Sequence, residues 1–270
     1  MSKRSEARRA QRRQQMTTRL IIVGVVVLVA SIGVGIFVYQ NAQRQQLVSE
    51  ATRNIVPVPV VVPEGADANA IGPTDAKVRI IEYFDFFCPA CRDFAPNAGR
   101  RIKAELIPLG NVRLENRVYL TTGGVNAAVA ATCAGEQNLY WPMHDLLFAN
   151  FNLMRANDIN DVYQALGTNI PDLDTNAYNS CLNRTSVRDG VFASSNAARS
   201  LGIGATPSVV VVLGDDGGLL ETNGSLPAGN NLFIIENGEL VETYSSSQFS
   251  SWDEFYAIIA TATRRGLGLD

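Results

Sequence analysis

Residues 77–96, KVRIIEYFDFFCPACRDFAP, constrain this chain more than any other stretch. Residues 78–87 form a nearly continuous apolar run, interrupted by Arg79, Glu82 and Asp85. That is the pattern of a central strand covered on both faces. The run ends in Cys88-Pro89-Ala90-Cys91 and passes into a helical pattern, which puts the first cysteine at a helix N-terminus. A thiolate is the species that attacks a disulfide, and there it is stabilised by unpaired N–H groups and the positive end of the helix dipole. Two intervening residues place the second sulfur one turn away, within reach to resolve a mixed disulfide. Pro89 suits the first turn, where its missing N–H has no intrahelical partner. The pattern predicts a redox-active dithiol, with Cys88 attacking and Cys91 resolving.

The same spacing is half of a zinc site. A zinc site needs two more ligands, but His144 is the only histidine, and Cys133 and Cys181 stand alone and far apart. A static disulfide or a pair of inert thiols is the other alternative, and the strand-to-helix context argues against it. No metal and no cofactor are expected beyond the dithiol itself.

The N-terminus has a separate character. Residues 1–19 carry Lys3, Arg4, Arg8, Arg9, Arg12, Arg13 and Arg19 against the single Glu6. Residues 20–39, LIIVGVVVLVASIGVGIFVY, then hold no charge. As a helix this run reaches roughly 30 Å, enough to cross a bilayer core. It is longer than a typical signal-peptide core, and its small residues lie inside the run, which favours an uncleaved anchor. By the positive-inside rule residues 1–19 remain cytoplasmic and the catalytic part faces out. Beyond the anchor 16 basic residues face 25 acidic ones, a net charge near −9. That argues against nucleic acid or anionic lipid as the partner of this part. An extracytoplasmic site also permits stable disulfides.

Residues 40–70 are expected to form a linker: a polar stretch able to continue as a short helix, then a valine-rich segment with Pro57, Pro59 and Pro63 that favours an extended spacer. Residues 71–270 follow as the folded domain. A helix is expected over 89–106 with a kink at Pro96, and a second strand over 112–120. A mainly helical block over about 125–200 divides into 125–135, 141–151, 159–166, 174–183 and 186–201. Strands return at 208–213 and in a hairpin over 232–244 turning at Asn237-Gly238, before a last helix over 252–264. Strand, helix, strand, helical block, strands and helix make an α/β fold with a helical insertion. Periodicity alone leaves Glu82 open between a buried acid and an edge-facing one.

Three segments together, EYFDFFCPACRDFAP, WPMHDLLF at 141–148 and ARSLGIGATPS at 198–208, resemble the DsbA-like thiol-disulfide oxidoreductases, in that family's order. The resemblance covers roughly residues 70–213. It implies a thioredoxin fold with an inserted helical domain. It implies that Thr206-Pro207 is a cis-proline loop facing the dithiol, where client backbone pairs with Thr206. It also implies that Glu82 is the acid beneath the active site that assists proton transfer at Cys91, and that Cys133 and Cys181 form a structural disulfide. Two buried, unpaired cysteines are the alternative. His144 is expected to be structural.

Two departures stand out. Ala90 occupies the position where the strongest oxidases of the family carry histidine, which implies a milder oxidant. Residues 214–231 form a longer connection than is usual there, expected to be a tolerated surface insertion. The implied activity is oxidation of cysteine pairs in exported client proteins, with reoxidation by a quinone-linked membrane partner of the DsbB-like or VKOR-like kind. Rival readings are a reductase or isomerase on the same fold, and a binding or chaperone module without turnover. Copper binding is disfavoured by the lack of a second histidine and of methionine near the motif.

Overall fold

A computed structural model describes residues 3–214 and 225–269, with side chains from residue 13 onward. Residues 215–224, most of the long connection, lie outside the described residues. The chain divides into two compact units, residues 1–50 and 51–270.

The described residues of the first unit lie within helix α1, Lys3–Arg53. Its apolar side chains from Leu20 to Tyr39 are exposed on every side. A helix apolar all round and uncovered by protein is the pattern of a membrane span, and α1 is long and apolar enough to be one.

In the second unit the strands are β1 (Ala66–Asp67), β2 (Ala70–Ile71), β3 (Val78–Phe84), β4 (Val112–Val118), β5 (Ser208–Leu213), β6 (Leu232–Glu236) and β7 (Glu239–Tyr244). Among the described residues they form one sheet in the order β1-β2-β4-β3-β5-β6-β7. β3 is central: it runs parallel to β4 and antiparallel to β5. Val78, Ile80 and Phe84 of β3 feed one core, and Ile81 and Tyr83 feed a second on the opposite face. This two-sided burial explains the unbroken apolar run. The β6–β7 hairpin turns at Asn237 and Gly238, both with positive φ (50° and 78°). Asparagine followed by glycine suits that turn because both tolerate the left-handed region.

Helix α2, Pro89–Phe94, leaves the end of β3 and continues through π-helical turns at Ala95–Gly99 and Ile102–Leu106 and a 3-10 turn at Ile107–Leu109. The kink expected at Pro96 is thus a local rewinding, since proline has no N–H to donate to the preceding turn. The insertion comprises α3 (Val125–Gly135), α4 (Tyr140–Ala149), α5 (Phe151–Ala156), α6 (Asn160–Gly167), α7 (Thr175–Leu182) and α8 (Thr185–Ser200). α3 is packed on several sides, and its alanines let neighbouring helices approach closely. The helix expected over 141–151 is broken at Asn150. The Asn150 amide donates to the carbonyls of Leu146 (2.8 Å) and Val56 (2.9 Å), and its oxygen accepts from Val56 N (2.8 Å). The extended segment before the sheet is therefore fastened to the insertion at Val56. Helix α9, Trp252–Leu267, closes the chain and starts at Ser251, whose hydroxyl accepts from Glu254 N at 3.2 Å.

Candidate active site

β3 ends where Asp85 turns its carboxylate inward. Its two oxygens accept from the N–H groups of Phe87 (2.8 Å), Thr121 (2.8 Å), Thr122 (2.6 Å), Gly123 (3.1 Å) and Gly124 (3.1 Å), and from the Thr122 hydroxyl (2.9 Å). Several N–H groups converging on one carboxylate fix it in place. Here it ties the loop after β4 to the end of β3. Gly124 is required by this approach, because a Cβ there would lie 2.6 Å from Asp85 Oδ1.

The Asp85 carbonyl also accepts from Cys88 N (3.0 Å), which sets the chain into α2. Cys88 is the N-cap residue with extended φ and ψ (−80°, 120°), and Pro89 follows in the first turn. Cys88 is 7% exposed and Cys91 is fully buried beneath it; both are free thiols. The Arg155 guanidinium donates to the Phe87 carbonyl (3.0 Å) and steadies the entry to α2.

Opposite the dithiol, the Thr206-Pro207 peptide bond is cis. Cys88 Sγ lies 3.2 Å from the Thr206 carbonyl oxygen, a contact in which only its protonated form donates, and the Thr206 and Thr121 hydroxyls share a 2.8 Å hydrogen bond. The loop held by Asp85 thus also buttresses the proline loop.

The electrostatics separate the two sulfurs. The Cys91 thiol donates to Cys88 and is the largest influence on it, outweighing the cost of burial. The Thr206 side chain and the N–H groups of Cys91 and Ala90 add to the effect, and Cys88 is lowered to about 6. Cys91 is raised well above the ordinary thiol value, first by burial, then by its bond to Cys88 and by the Cys88 and Glu82 charges. At neutral pH the pair is one thiolate and one thiol.

Glu82 lies in mid-strand on β3 and is 4% exposed. The structure resolves the ambiguity of its periodicity in favour of a buried acid. Burial raises it to about 8, against a smaller opposing influence from Lys103.

Cys133 and Cys181 form a disulfide joining α3 to α7, with Cα atoms 5.7 Å apart, within the helical insertion. His144 is caged by Phe84, Phe86, Tyr140, Trp141 and Phe148, and its Nδ1 lies 2.8 Å from Asp145 Oδ1. Burial lowers its pKa, so it packs as a neutral ring. Among the described residues no three His, Cys, Asp or Glu side chains converge as a metal site would require. Asp85 is the residue the sequence reading passed over. The available signal was an acid three positions before Cys88 together with Thr121-Thr122-Gly123-Gly124 after β4.

A dithiol at a helix N-cap, a cis-proline loop facing it and an inserted helical layer define a thioredoxin-fold protein of the DsbA-like kind. The chain belongs to the thioredoxin family, whose profile matches residues 66–213. Among curated relatives, the Na(+)/H(+) antiporter NhaA 3 of Salinispora tropica is 33% identical over 123 residues. The match takes in 44% of this chain and 18% of that protein, so the chain spans under a fifth of the antiporter's length. A probable disulfide bond formation protein D of Bacillus cereus is 26% identical over 148 residues, covering 53% of this chain and 68% of the relative. The crystal structure of Wolbachia pipientis alpha-DsbA1 superposes with a TM-score of 0.52 at 20% identity, over 80% of this chain and 98% of that one.

Proposed function

We propose that this chain is a membrane-anchored thiol-disulfide oxidoreductase that works outside the cytoplasm and oxidises cysteine pairs in exported proteins. The observation that carries it is the split between the sulfurs. Cys88 is stabilised as thiolate by Cys91 and by α2, which favours the reduced state of the pair and makes its disulfide an oxidant. The likeness to a disulfide bond formation protein supports the same reading.

In the oxidised protein a client thiolate attacks Cys88 Sγ, the Cys88–Cys91 bond breaks, and Cys91 leaves with the electron pair and takes a proton. Glu82 is the nearby acid suited to supply it. The second client thiolate then attacks the client sulfur of the mixed disulfide, and Cys88 leaves as thiolate. Two electrons have passed to the pair, one proton stays on Cys91, and the other client proton goes to solvent. Thr206 and Pro207 hold the client strand through main-chain pairing, in the place of the Cys88 contact with the Thr206 carbonyl.

The arginine-rich residues 1–19 remain cytoplasmic, and residues 20–39 anchor the chain. Reoxidation falls to a quinone-linked membrane partner of the DsbB-like or VKOR-like kind. The test is catalysed oxidation of a reduced two-cysteine peptide by the oxidised protein. Cys88→Ala is expected to abolish it, and full activity in that variant would instead establish a non-redox binding module.

A further inference from the structure

Behind the dithiol, Glu82 Oε1 is buried with no hydrogen-bond partner among the described residues, and the buried Asn116 amide and Tyr140 hydroxyl have only each other. Asn116 is 1% exposed and Tyr140 3%. The β3–β4 register sets Asn116 directly across from Glu82, at the spacing of adjacent strands, so the two side chains leave the same face of the sheet. The Tyr140 hydroxyl sits beside the Asn116 amide and feels the Glu82 charge.

Asn116 and Tyr140 also line a cavity of about 500 Å³ between β4, α3 and α8, with Thr132, Glu136, Val187 and Gly190 among its walls. Gly190 is exposed, and an ion pair between Glu136 and Arg184 lies in the same wall. Buried polar atoms are nearly always bonded, to protein or to water; the cavity wall is largely apolar, and its polar groups, Asn116, Tyr140, Thr132 and Glu136 among them, are where water is bonded.

We propose that this cavity is the proton inlet of the dithiol: it brings water to Asn116 and Tyr140, positioning residues that connect it to Glu82, which lies outside the cavity lining. The inference rests on the thiol-disulfide reading above and concerns how its proton is resupplied. When Cys91 leaves Cys88 and takes the Glu82 proton, the carboxylate recovers one from water in the cavity. The proton that the client thiol released to solvent restores the balance. The charged and titratable groups facing Glu82 are Cys91 from α2, Lys103 from the turn at Ile102–Leu106 and Tyr140 from α4. Asp145 pairs with Lys103 at 3.2 Å.

The test follows reduction of the oxidised full-length protein in detergent by dithiothreitol, from pH 5 to pH 9. The variants are Asn116→Leu, Tyr140→Phe and Gly190→Phe. Gly190→Phe adds bulk at an exposed position of the cavity wall where a Cβ meets nothing within 4 Å. Each variant is expected to react on the order of tenfold slower at pH 7 or below, the scale of a lost proton-transfer step, with a pH profile changed from that of the wild type. Alkylation of Cys88 in the reduced variants should keep the wild-type rate, because it needs no proton at Cys91. Wild-type rates and pH profiles in all three would overturn the inlet. Equal loss of Cys88 alkylation in the variants would show mere structural damage and overturn it too. A wild-type protein that never exchanges with dithiothreitol would overturn the parent reading, so the two failures are distinguishable.

Discussion

Replacing Cys91 by alanine tests the cause assigned to the Cys88 thiolate. Cys88 is lowered to about 6 chiefly by the Cys91 thiol donating to it, with the N–H groups of Ala90 and Cys91 in support. A hydrogen bond to a charged group contributes about 1.5–3 kcal/mol, which corresponds to about one to two pH units in the titration midpoint. Cys91→Ala should raise the Cys88 midpoint by that amount, because the α2 N–H groups remain. At pH 7 the thiolate fraction then falls from about nine-tenths to between about one-half and one-tenth, and alkylation slows about two- to tenfold. Thiolate absorbance at 240 nm, followed against pH in the reduced protein, reads the midpoint directly. Cys91→Ser restores a donor and should keep most of the lowering. A Cys91→Ala midpoint unmoved from about 6 would refute the reasoning and assign the whole effect to the helix terminus.

Further outcomes follow from the buried groups. Glu82 keeps its proton in the folded protein up to about 8 but releases it near 4.5 when unfolded. Its raised value therefore stabilises the fold fully below about pH 4.5, and that stability is lost as pH rises through about 8, on the order of 5 kcal/mol in all. The melting temperature of wild type should fall from pH 5 to pH 8 relative to Glu82→Gln, and parallel curves would contradict this. Asp85→Ala strips the partner from five N–H groups and should cost about 3–5 kcal/mol by chemical denaturation, whereas a loss below about 1 kcal/mol would deny its role as a tie. Removing the Cys133–Cys181 bond with a double alanine substitution releases a loop of 48 residues and should cost about 4 kcal/mol in the chain-entropy model. The Cys88 midpoint should stay where it is, since that disulfide joins α3 to α7.

The parts of this fold that could be read in advance are those encoded by local patterns. The strand running into Cys88-Pro89-Ala90-Cys91 was legible because a two-sided strand, a first-turn proline and the cysteine spacing lie within twenty residues. The hairpin was legible from Asn237-Gly238. What escaped depends on side chains meeting distant backbone. Asp85 bonds main-chain N–H groups 36 to 39 residues away, and no side-chain pattern encodes them. The break at Asn150 is fixed by Val56, 94 residues earlier. β1 and β2 are two residues each, too short for alternation to appear, so the sheet's edge hairpin at 66–71 was not foreseen. Glu82 stayed ambiguous until the sheet order placed β3 between β4 and β5.

The most direct test of the dithiol as an oxidant is its reduction potential, obtained by equilibrating the full-length protein in detergent with glutathione buffers and trapping the Cys88 and Cys91 thiols. A thiolate held at about 6 predicts a potential in the oxidising range of about −120 to −180 mV, and the alanine at position 90 places it towards the milder end. A value near −270 mV, where thioredoxin lies, would contradict the oxidase and assign this site to a reductase.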